Sequence, residues 1–188
     1  METDETKQFA ICQNGREMRA TPELFPAPIG KLLGFTIVGD EEGKAAIEFE
    51  ATENHANPMG TLHGGVLCDL ADAAMGVAYR STLAPGESFT TLELKINFLR
   101  PVWKAKLRAE ARVVGGGKTV GLVECDVFDP RGRLMARASS TCLRLRDAAA
   151  QGRQLNEQAR YTKANGGRPK SSFDAAPLFA SKAIPALR

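Results

Sequence analysis

The segment HGGVLCDLADAAMGVAYR, residues 63–80, decides how this chain folds. Apolar residues recur in it at spacings of three and four, which predicts one long helix over residues 64–80. The other face of that helix carries small residues and two aspartates rather than a band of mixed charges. A helix without a charged face is normally buried on most sides. The segment therefore predicts a central helix that other elements surround.

Alternating segments on both sides of this helix predict the surrounding strands. Two short strands are expected before it, at residues 35–38 and 46–50, with a turn over residues 39–43. Four long strands are expected after it, at residues 88–100, 102–114, 118–129 and 133–146. The turns GGG (115–117) and DPRG (129–132) are short, so the strands they join are antiparallel neighbours.

Each long strand has one apolar and one largely polar face, with Leu92, Leu94 and Ile96 on the apolar face of the first and Trp103 on that of the second. A single sheet must cover its apolar face. The helix is the apolar element available for that purpose. The sequence therefore predicts an α+β fold, in which a curved antiparallel sheet of five to six strands wraps around one central helix.

Composition narrows the class of protein. Of the net charge of +3, residues 147–188 contribute +4, from seven Lys or Arg against three acids, which leaves −1 for the rest. A nearly neutral body argues against nucleic-acid binding. The sequence has no apolar run of about 18 residues, so it predicts no membrane-spanning helix. Its acidic start, METDETKQ, is unlike a secretory signal.

Four cysteines without a C-x-x-C pair, together with only two histidines, give little support for a metal site. We therefore expect no metal, and we expect a reduced, cytoplasmic setting. The expected organisation is an N-terminal extension over residues 1–29, one domain over residues 30–146, and a C-terminal extension over residues 147–188 that is partly helical or disordered.

Several motifs give the chain a family resemblance. They are Asn57, Gly60, LHGG at 62–65, LAD at 70–72, NFLRP at 97–101 and GKT at 117–119. With them the chain resembles the hotdog-fold acyl-CoA thioesterases of the phenylacetate-degradation, or PaaI-like, type. The resemblance implies a homodimer with active sites at the subunit interface, often paired again into a tetramer. It also implies hydrolysis of an acyl-CoA thioester to free acid and CoA, without a metal or organic cofactor.

Gly64 and Gly65 stand where the predicted helix begins. Unpaired N–H groups and the positive end of the helix dipole suit a developing oxyanion, and glycine lets a carbonyl approach the backbone closely. The resemblance assigns the donor role to the N–H of Gly64. A glycine-rich helix start without a ligand is the structural alternative.

Asp72 lies on the helix face away from Leu67 and Leu70, among small residues. Partial desolvation at a subunit interface would hold its carboxylate poised for chemistry. The resemblance places the family's carboxylate at Asp72 and not at Asp69. The roles of general base to water and of direct nucleophile both stay open, and a surface acid paired with a distant Arg is the structural alternative.

Three further residues match catalytic positions of the family. Asn57, six residues before His63, corresponds to an amide that holds the attacking water or the carbonyl, although Asn-Pro is also an ordinary turn former. His63 either positions the loop and the glycine or acts as a base. Thr91 corresponds to a Ser/Thr position that helps orient water, although a threonine in a strand is common.

Coenzyme A carries phosphates that need cations or backbone donors. The GGGK turn at 115–118 offers both and matches a nucleotide-contact region of the family; it is not a Walker A loop, because Arg112 stands where that motif needs glycine. The predicted CoA-binding residues are Gly65, Arg100, Lys104, Gly116, Gly117, Lys118 and Thr119.

Two other functions compete with hydrolysis, and a scaffold role in which residues 147–188 bind a protein partner stays open, mainly as an added function. A hotdog hydratase or dehydratase uses a histidine base placed after an acid, and no histidine follows His63. A non-catalytic acyl-CoA sensor would add a DNA-binding module, for which residues 1–20 are too few. The acyl group stays open between aryl and medium-chain acyl groups.

Overall fold

The structure, a computed structural model, describes residues 27–151. The elements in chain order are α1 (Pro28–Leu33), β1 (Thr36–Glu41), β2 (Lys44–Ala51), a 3-10 turn (Glu53–His55), α2 (Gly64–Arg80), β3 (Ser88–Phe98), β4 (Ala105–Gly116), β5 (Val120–Phe128), β6 (Leu134–Leu145) and α3 (Asp147–Ala150). Most of the two predicted extensions therefore lies outside the described residues.

The six strands form one antiparallel sheet in the order β1-β2-β4-β5-β6-β3. Helix α2 follows β2, crosses the inner face of the sheet and leads to β3 at the far edge. The predicted hotdog architecture, a sheet packed around one central helix, is confirmed, with six strands.

The core lies between α2 and the inner face of the sheet. Small residues on the helix let its backbone approach the strands closely, and branched or larger residues of β2, β4 and β5 fill the space around them. The core residues that are 1% exposed or less include Ile47, Leu70, Ala71, Ala74, Met75, Ala78, Leu107, Ala109, Val123 and Val127. None of the helices in residues 27–151 is long and apolar enough to cross a membrane.

Several strand boundaries differ from the sequence prediction. β1 continues to Glu41 and β2 begins at Lys44, so the turn between them is only Glu42 and Gly43 rather than residues 39–43. Gly43 has φ +74°, a left-handed conformation that glycine adopts without strain. Trp103, expected on the apolar face of a strand, precedes β4 and is 60% exposed, because its segment is a loop.

A bulge in β3 reverses part of the predicted alternation. The pairing of β3 with β6 shifts register between Thr91 and Glu93, so Leu92 is an extra residue in β3. Leu92, expected on the apolar face with Leu94, is therefore 56% exposed. The bulge lets Thr91 face α2 although Leu94, three residues later, also packs against the core.

The packing of Tyr79 at the C-terminal end of α2 generates a stability prediction. A Cβ added at Gly121 in β5 would lie 2.3 Å from Cε2 of the buried Tyr79 ring. We expect Gly121→Ala to lower the Tm by about 3–10 °C, because overpacking a tight core costs about 1–3 kcal/mol. Thermal unfolding followed by circular dichroism measures this.

Gly115→Ala is the matched control, because a Cβ there meets nothing within 4 Å in the same β4–β5 hairpin. Its Tm should stay close to that of the wild type. Equal Tm values for the two variants would contradict the packing described for Tyr79.

Candidate active site

The start of α2 is held by the side chain that precedes it. His63 is the N-cap residue, and its Nδ1 accepts a hydrogen bond of 2.9 Å from the N–H of Gly65. The N–H of Val66 donates to the carbonyl of His63 at 3.1 Å. An imidazole nitrogen that accepts a hydrogen bond there caps the helix, so the geometry gives His63 a positioning role.

These bonds leave the N–H of Gly64 as the unused donor of the first turn. It has no hydrogen-bond partner among residues 27–151. A side chain at this position would meet the exposed ring of Phe98, because a Cβ on Gly64 would lie 3.0 Å from Phe98 Cζ. The site therefore combines a free amide, the positive end of a helix and a position without a side chain.

Asp72 lies two turns further along α2 and faces β3. Thr91 Oγ1 donates a hydrogen bond to Asp72 Oδ1 at 3.3 Å. A groove of about 400 Å³ opens here, lined by Cys68, Asp69, Asp72 and the β3 segment 91–94. The carboxylate is thus anchored from the strand and still open to a ligand.

The surroundings of Asp72 favour its protonated form. Desolvation by the packed helix and strand raises the pKa of this carboxyl above its ordinary value, although one side of the residue stays accessible to solvent. The hydrogen bond from Thr91 lowers the pKa, and the negative charge of Asp69 raises it. No cation pairs with Asp72 within the described part of the chain, so its charge is not neutralised by a salt bridge.

Gly64 and Asp72 do not meet within one chain. Eight residues separate them on one helix, which places them about 12 Å apart along its axis. They also line different grooves, since Gly64 lies in one of about 390 Å³ with Asn57, Phe98 and Arg100. A single thioester carbonyl cannot reach both groups of the same subunit.

Asn57 organises the loop before α2. Its Oδ1 accepts hydrogen bonds from the N–H of Met59 at 2.9 Å and of Thr61 at 3.2 Å, and its Nδ2 donates to Thr61 Oγ1 at 2.8 Å. These contacts make an Asx turn. The side-chain nitrogen of Asn57 carries two hydrogens, and Thr61 takes one of them. Within the described residues, the second hydrogen remains available to a ligand.

The predicted CoA-binding residues fall into two groups at opposite ends of the sheet. Arg100, which donates to the carbonyl of Leu134, lines the groove of Gly64. Lys104 follows in the loop before β4 and pairs with Glu53 at 2.8 Å. Gly65 begins α2, and its N–H is occupied by His63.

The second group forms the exposed β4–β5 turn, residues 116–119. Strand register places this turn in the same row of the sheet as Thr91, through the pairs Thr91–Cys142, Cys142–Gly121 and Gly121–Gly116. Three strand spacings separate Thr91 from Gly116, about 14 Å. This group therefore belongs with Asp72, and the first group with Gly64.

Two residues that contact this site were not predicted as site residues. Phe98 covers the position where Gly64 lacks a side chain, and Cys142 lies opposite Thr91. Phe98 could have been found from the NFLRP motif, whereas no pattern in the sequence connects Cys142 with Thr91, because their contact depends on strand register.

Comparison with known proteins assigns the family. The thioesterase superfamily matches residues 59–136, which include α2 with Gly64 and Asp72. The chain is 31% identical over 109 residues to the 1,4-dihydroxy-2-naphthoyl-CoA hydrolase of Listeria monocytogenes, covering 58% of this chain and 89% of that protein. The chain belongs to the thioesterase superfamily. It is a thioester hydrolase of the PaaI-like type.

Other similarities agree with this membership. Human acyl-coenzyme A thioesterase 13 is 32% identical over 124 residues, covering 62% of this chain and 82% of that protein. The PaaI protein from the phenylacetic acid degradation operon of E. coli superposes with a TM-score of 0.60 at 28% identity, covering 64% of this chain and 86% of that one. The thioesterase fold thus occupies about two thirds of the chain.

The contact between Thr91 and Asp72 generates a titration prediction. We expect Thr91→Val to raise the pKa of Asp72 further, because the variant removes the donor that stabilises the ionised carboxylate. Carboxyl-selective ¹³C NMR over a pH series measures this, with Asp72→Asn to assign the signal.

Thr90→Val is the control, because neighbouring side chains of a strand point to opposite faces. It should leave the titration of Asp72 unchanged. A lowered or constant pKa of Asp72 in Thr91→Val would contradict the role given to this hydrogen bond.

Proposed function

We propose that this thioester hydrolase acts on acyl-CoA, releasing the free acid and CoA, with Asp72 of one subunit and the N–H of Gly64 of another at each site. The observation that carries this proposal is the pairing of one free amide and one unneutralised carboxylate on the same helix, too far apart to act together within a chain. Membership of the thioesterase superfamily supports the reaction class.

A homodimer through β3 brings the two groups together. β3 is an edge strand of 11 residues, and an edge strand presents unpaired backbone groups to another chain. Phe98 at one end of β3 touches Gly64, whereas Thr91 near the other end holds Asp72. Antiparallel pairing of two copies about the middle of β3, near Leu94 and Lys95, places the Phe98 end of one chain beside the Thr91 end of the other.

In this arrangement the N–H of Gly64 donates to the carbonyl oxygen of the thioester and stabilises the negative charge that develops there. Asp72 removes a proton from water as the water oxygen bonds to the carbonyl carbon, or attacks that carbon itself to give an anhydride that water then cleaves. The carbon–sulfur bond breaks, and the thiolate of CoA leaves and takes up a proton. Thr91 orients Asp72, and His63 holds the helix start.

Cations near both groups suit the phosphates of CoA. Arg100 lies beside the groove of Gly64, and Lys118 lies in the β4–β5 turn on the Asp72 side. Thr119 adds a hydroxyl in that turn, and Gly116 and Gly117 let a ligand approach its backbone closely, while the N–H of Gly117 itself donates to the carbonyl of Val120. Lys104 is a further cation, whose pairing with Glu53 is exposed and easily exchanged. The reaction needs only side chains and a main-chain amide, so no cofactor is part of the proposal.

For the acyl group we propose aryl groups first and medium-chain acyl groups second. The relative named 1,4-dihydroxy-2-naphthoyl-CoA hydrolase and the PaaI neighbour from a phenylacetic acid degradation operon both support an aryl group. The exposed Phe98 ring beside Gly64 offers an aromatic surface next to the carbonyl position. Pairing of dimers into a tetramer and a cytoplasmic location complete the proposal.

The direct test is thiol release from a panel of aryl- and medium-chain acyl-CoA substrates. We expect Asp72→Ala to lower kcat by about 10²-fold or more, the scale seen when a key catalytic group is removed. The loss should appear in kcat rather than in KM, because Asp72 acts on the reacting carbonyl.

Asp69→Ala is the matched control, since Asp69 lies one turn earlier on the same helix and lines the same groove. Its kcat should stay within a few-fold of the wild type. An Asp72→Ala variant as active as the wild type, or a wild-type protein inactive on the whole panel, would overturn the proposed function.

A further inference from the structure

A small buried polar cluster lies directly behind Thr91. Cys142 of β6 is the register partner of Thr91 of β3, so the two side chains are neighbours on the same face of the sheet. Two residues earlier on the same face of β6 lies Ser140, whose Oγ is 3.8 Å from Cys142 Sγ. Cys142 is 1% exposed and Ser140 is 0% exposed, so neither group is satisfied by bulk water.

With Thr91 and Asp72, these residues place four hydrogen-bonding groups in a row, in which strand register supplies the step from Cys142 to Thr91: Ser140, Cys142, Thr91 and Asp72. A carboxylate only accepts hydrogen bonds, so the Thr91 hydroxyl must donate to Asp72 when Asp72 is ionised. The Thr91 oxygen is then free to accept from the Cys142 thiol, and the Cys142 sulfur to accept from the Ser140 hydroxyl. When Asp72 is ionised, each of these hydrogen bonds therefore points in the same direction, from Ser140 toward Asp72.

We propose that Cys142 and Ser140 are positioning residues for hydrolysis, which hold the Thr91 hydroxyl turned toward Asp72. The proposal rests on the proposed role of Asp72 and adds two residues that never touch the substrate. The χ1 angle of a threonine is stiff, but its hydroxyl hydrogen rotates freely. A buried donor behind the hydroxyl oxygen fixes the direction of that hydrogen, which the backbone does not determine.

The bulge explains why this position needs support. Leu92 is an extra residue directly after Thr91, and the hydrogen-bond ladder to β6 is interrupted there. Side-chain contact with Cys142 ties Thr91 to β6 where backbone pairing is disturbed. A directional chain also polarises each of its members, which strengthens the last hydrogen bond to the carboxylate.

The charged and titratable groups around Asp72 are compatible with this chain. Cys68 and Asp69 share the groove from α2, Glu93 lines it from β3, and Cys142 lies behind from β6. Burial raises the pKa of the Cys142 thiol above its ordinary value, and the negative charge of Asp72 acts in the same direction. The thiol therefore stays protonated and available as a donor at neutral pH.

The test compares Cys142→Ala, Cys142→Ser and Ser140→Ala with the wild type in the acyl-CoA assay across a pH series. Activity requires ionised Asp72, so it rises as the pH passes through the pKa of Asp72, and a weaker Thr91 donor moves that acid limb to higher pH. We expect Cys142→Ala to move the limb upward and to lower kcat about three- to ten-fold with KM unchanged, the scale of one neutral hydrogen bond. Cys142→Ser keeps a donor and should restore both values, whereas Ser140→Ala should move the limb in the same direction by a smaller amount.

Cys125→Ala is the matched control. Cys125 lies in β5, is also 1% exposed, and its sulfur bonds to the carbonyl of Asp126 rather than to this chain. Its loss should lower the Tm as a buried thiol does, without moving the acid limb. An equal effect of Cys125→Ala and Cys142→Ala on the limb would overturn the proposal.

The positioning role of Cys142 and the proposed function fail in different ways. If Asp72→Ala is inactive but Cys142→Ala keeps the acid limb of the wild-type pH profile, the positioning role is wrong and the hydrolytic role of Asp72 stands. If Asp72→Ala stays active, the proposed function is wrong. The positioning role is then decided by NMR titration of the Asp72 carboxyl alone: its pKa rises in Cys142→Ala if Cys142 holds the Thr91 hydroxyl, and stays constant if it does not.

Discussion

Burial of helix α2 against the inner face of the sheet is the constraint on which the rest of the structure depends. Small residues on the helix let it lie close to the strands, and this contact fixes both ends of the helix relative to β3. The N-terminal end thereby presents a free amide beside Phe98, and the middle presents a carboxylate beside Thr91. The helical rise then sets the spacing between these two groups, and this spacing is the reason why the proposed site takes them from two different subunits.

Desolvation raises the pKa of the Asp72 carboxyl and also makes its ionised form less stable in the folded chain. Folding raises the pKa of the Asp72 carboxyl, mainly through desolvation, so the folded chain stabilises the protonated form more than the unfolded chain does. Stability from this group is therefore greatest at low pH and is lost as the pH rises through the folded-state pKa, which is the opposite of a carboxylate in a salt bridge. Glu48, paired with Lys106 and Arg108 on the outer face of the sheet, has a lowered pKa and illustrates the contrasting case.

The pattern of apolar residues was sufficient to predict the central helix and the antiparallel strands, and the family was predicted from the resemblance of short motifs. Those features depend on local periodicity and on motifs such as LHGG, which are visible in one sequence. Leu92 was assigned to the wrong face because Leu92, Leu94 and Ile96 alternate without interruption. The bulge that displaces Leu92 arises from pairing with β6, and strand register cannot be read from β3 alone.

In the candidate site, too, some features could be predicted from the sequence and others depend on tertiary structure. The glycine at the helix start and the aspartate on its face could be proposed from residue type and position, although their roles stay predictions. The turn made by Asn57 with Thr61 and the contact of Thr91 with Cys142 depend on tertiary placement. Periodicity also placed Gly64 and Asp72 on one helix, but the sequence did not show that the two residues line different grooves.

The central claim is that each active site takes Gly64 from one chain and Asp72 from the other. It is tested most directly by co-expressing Gly64→Pro and Asp72→Ala subunits with different affinity tags and purifying the mixed dimer, because proline at the first helical position removes the N–H of residue 64 and is tolerated there. Each mixed dimer then contains one site with both groups intact and one site with neither. The account predicts about half of the wild-type kcat per dimer, from two parent variants that are each nearly inactive. A mixed dimer as inactive as its parents would contradict it.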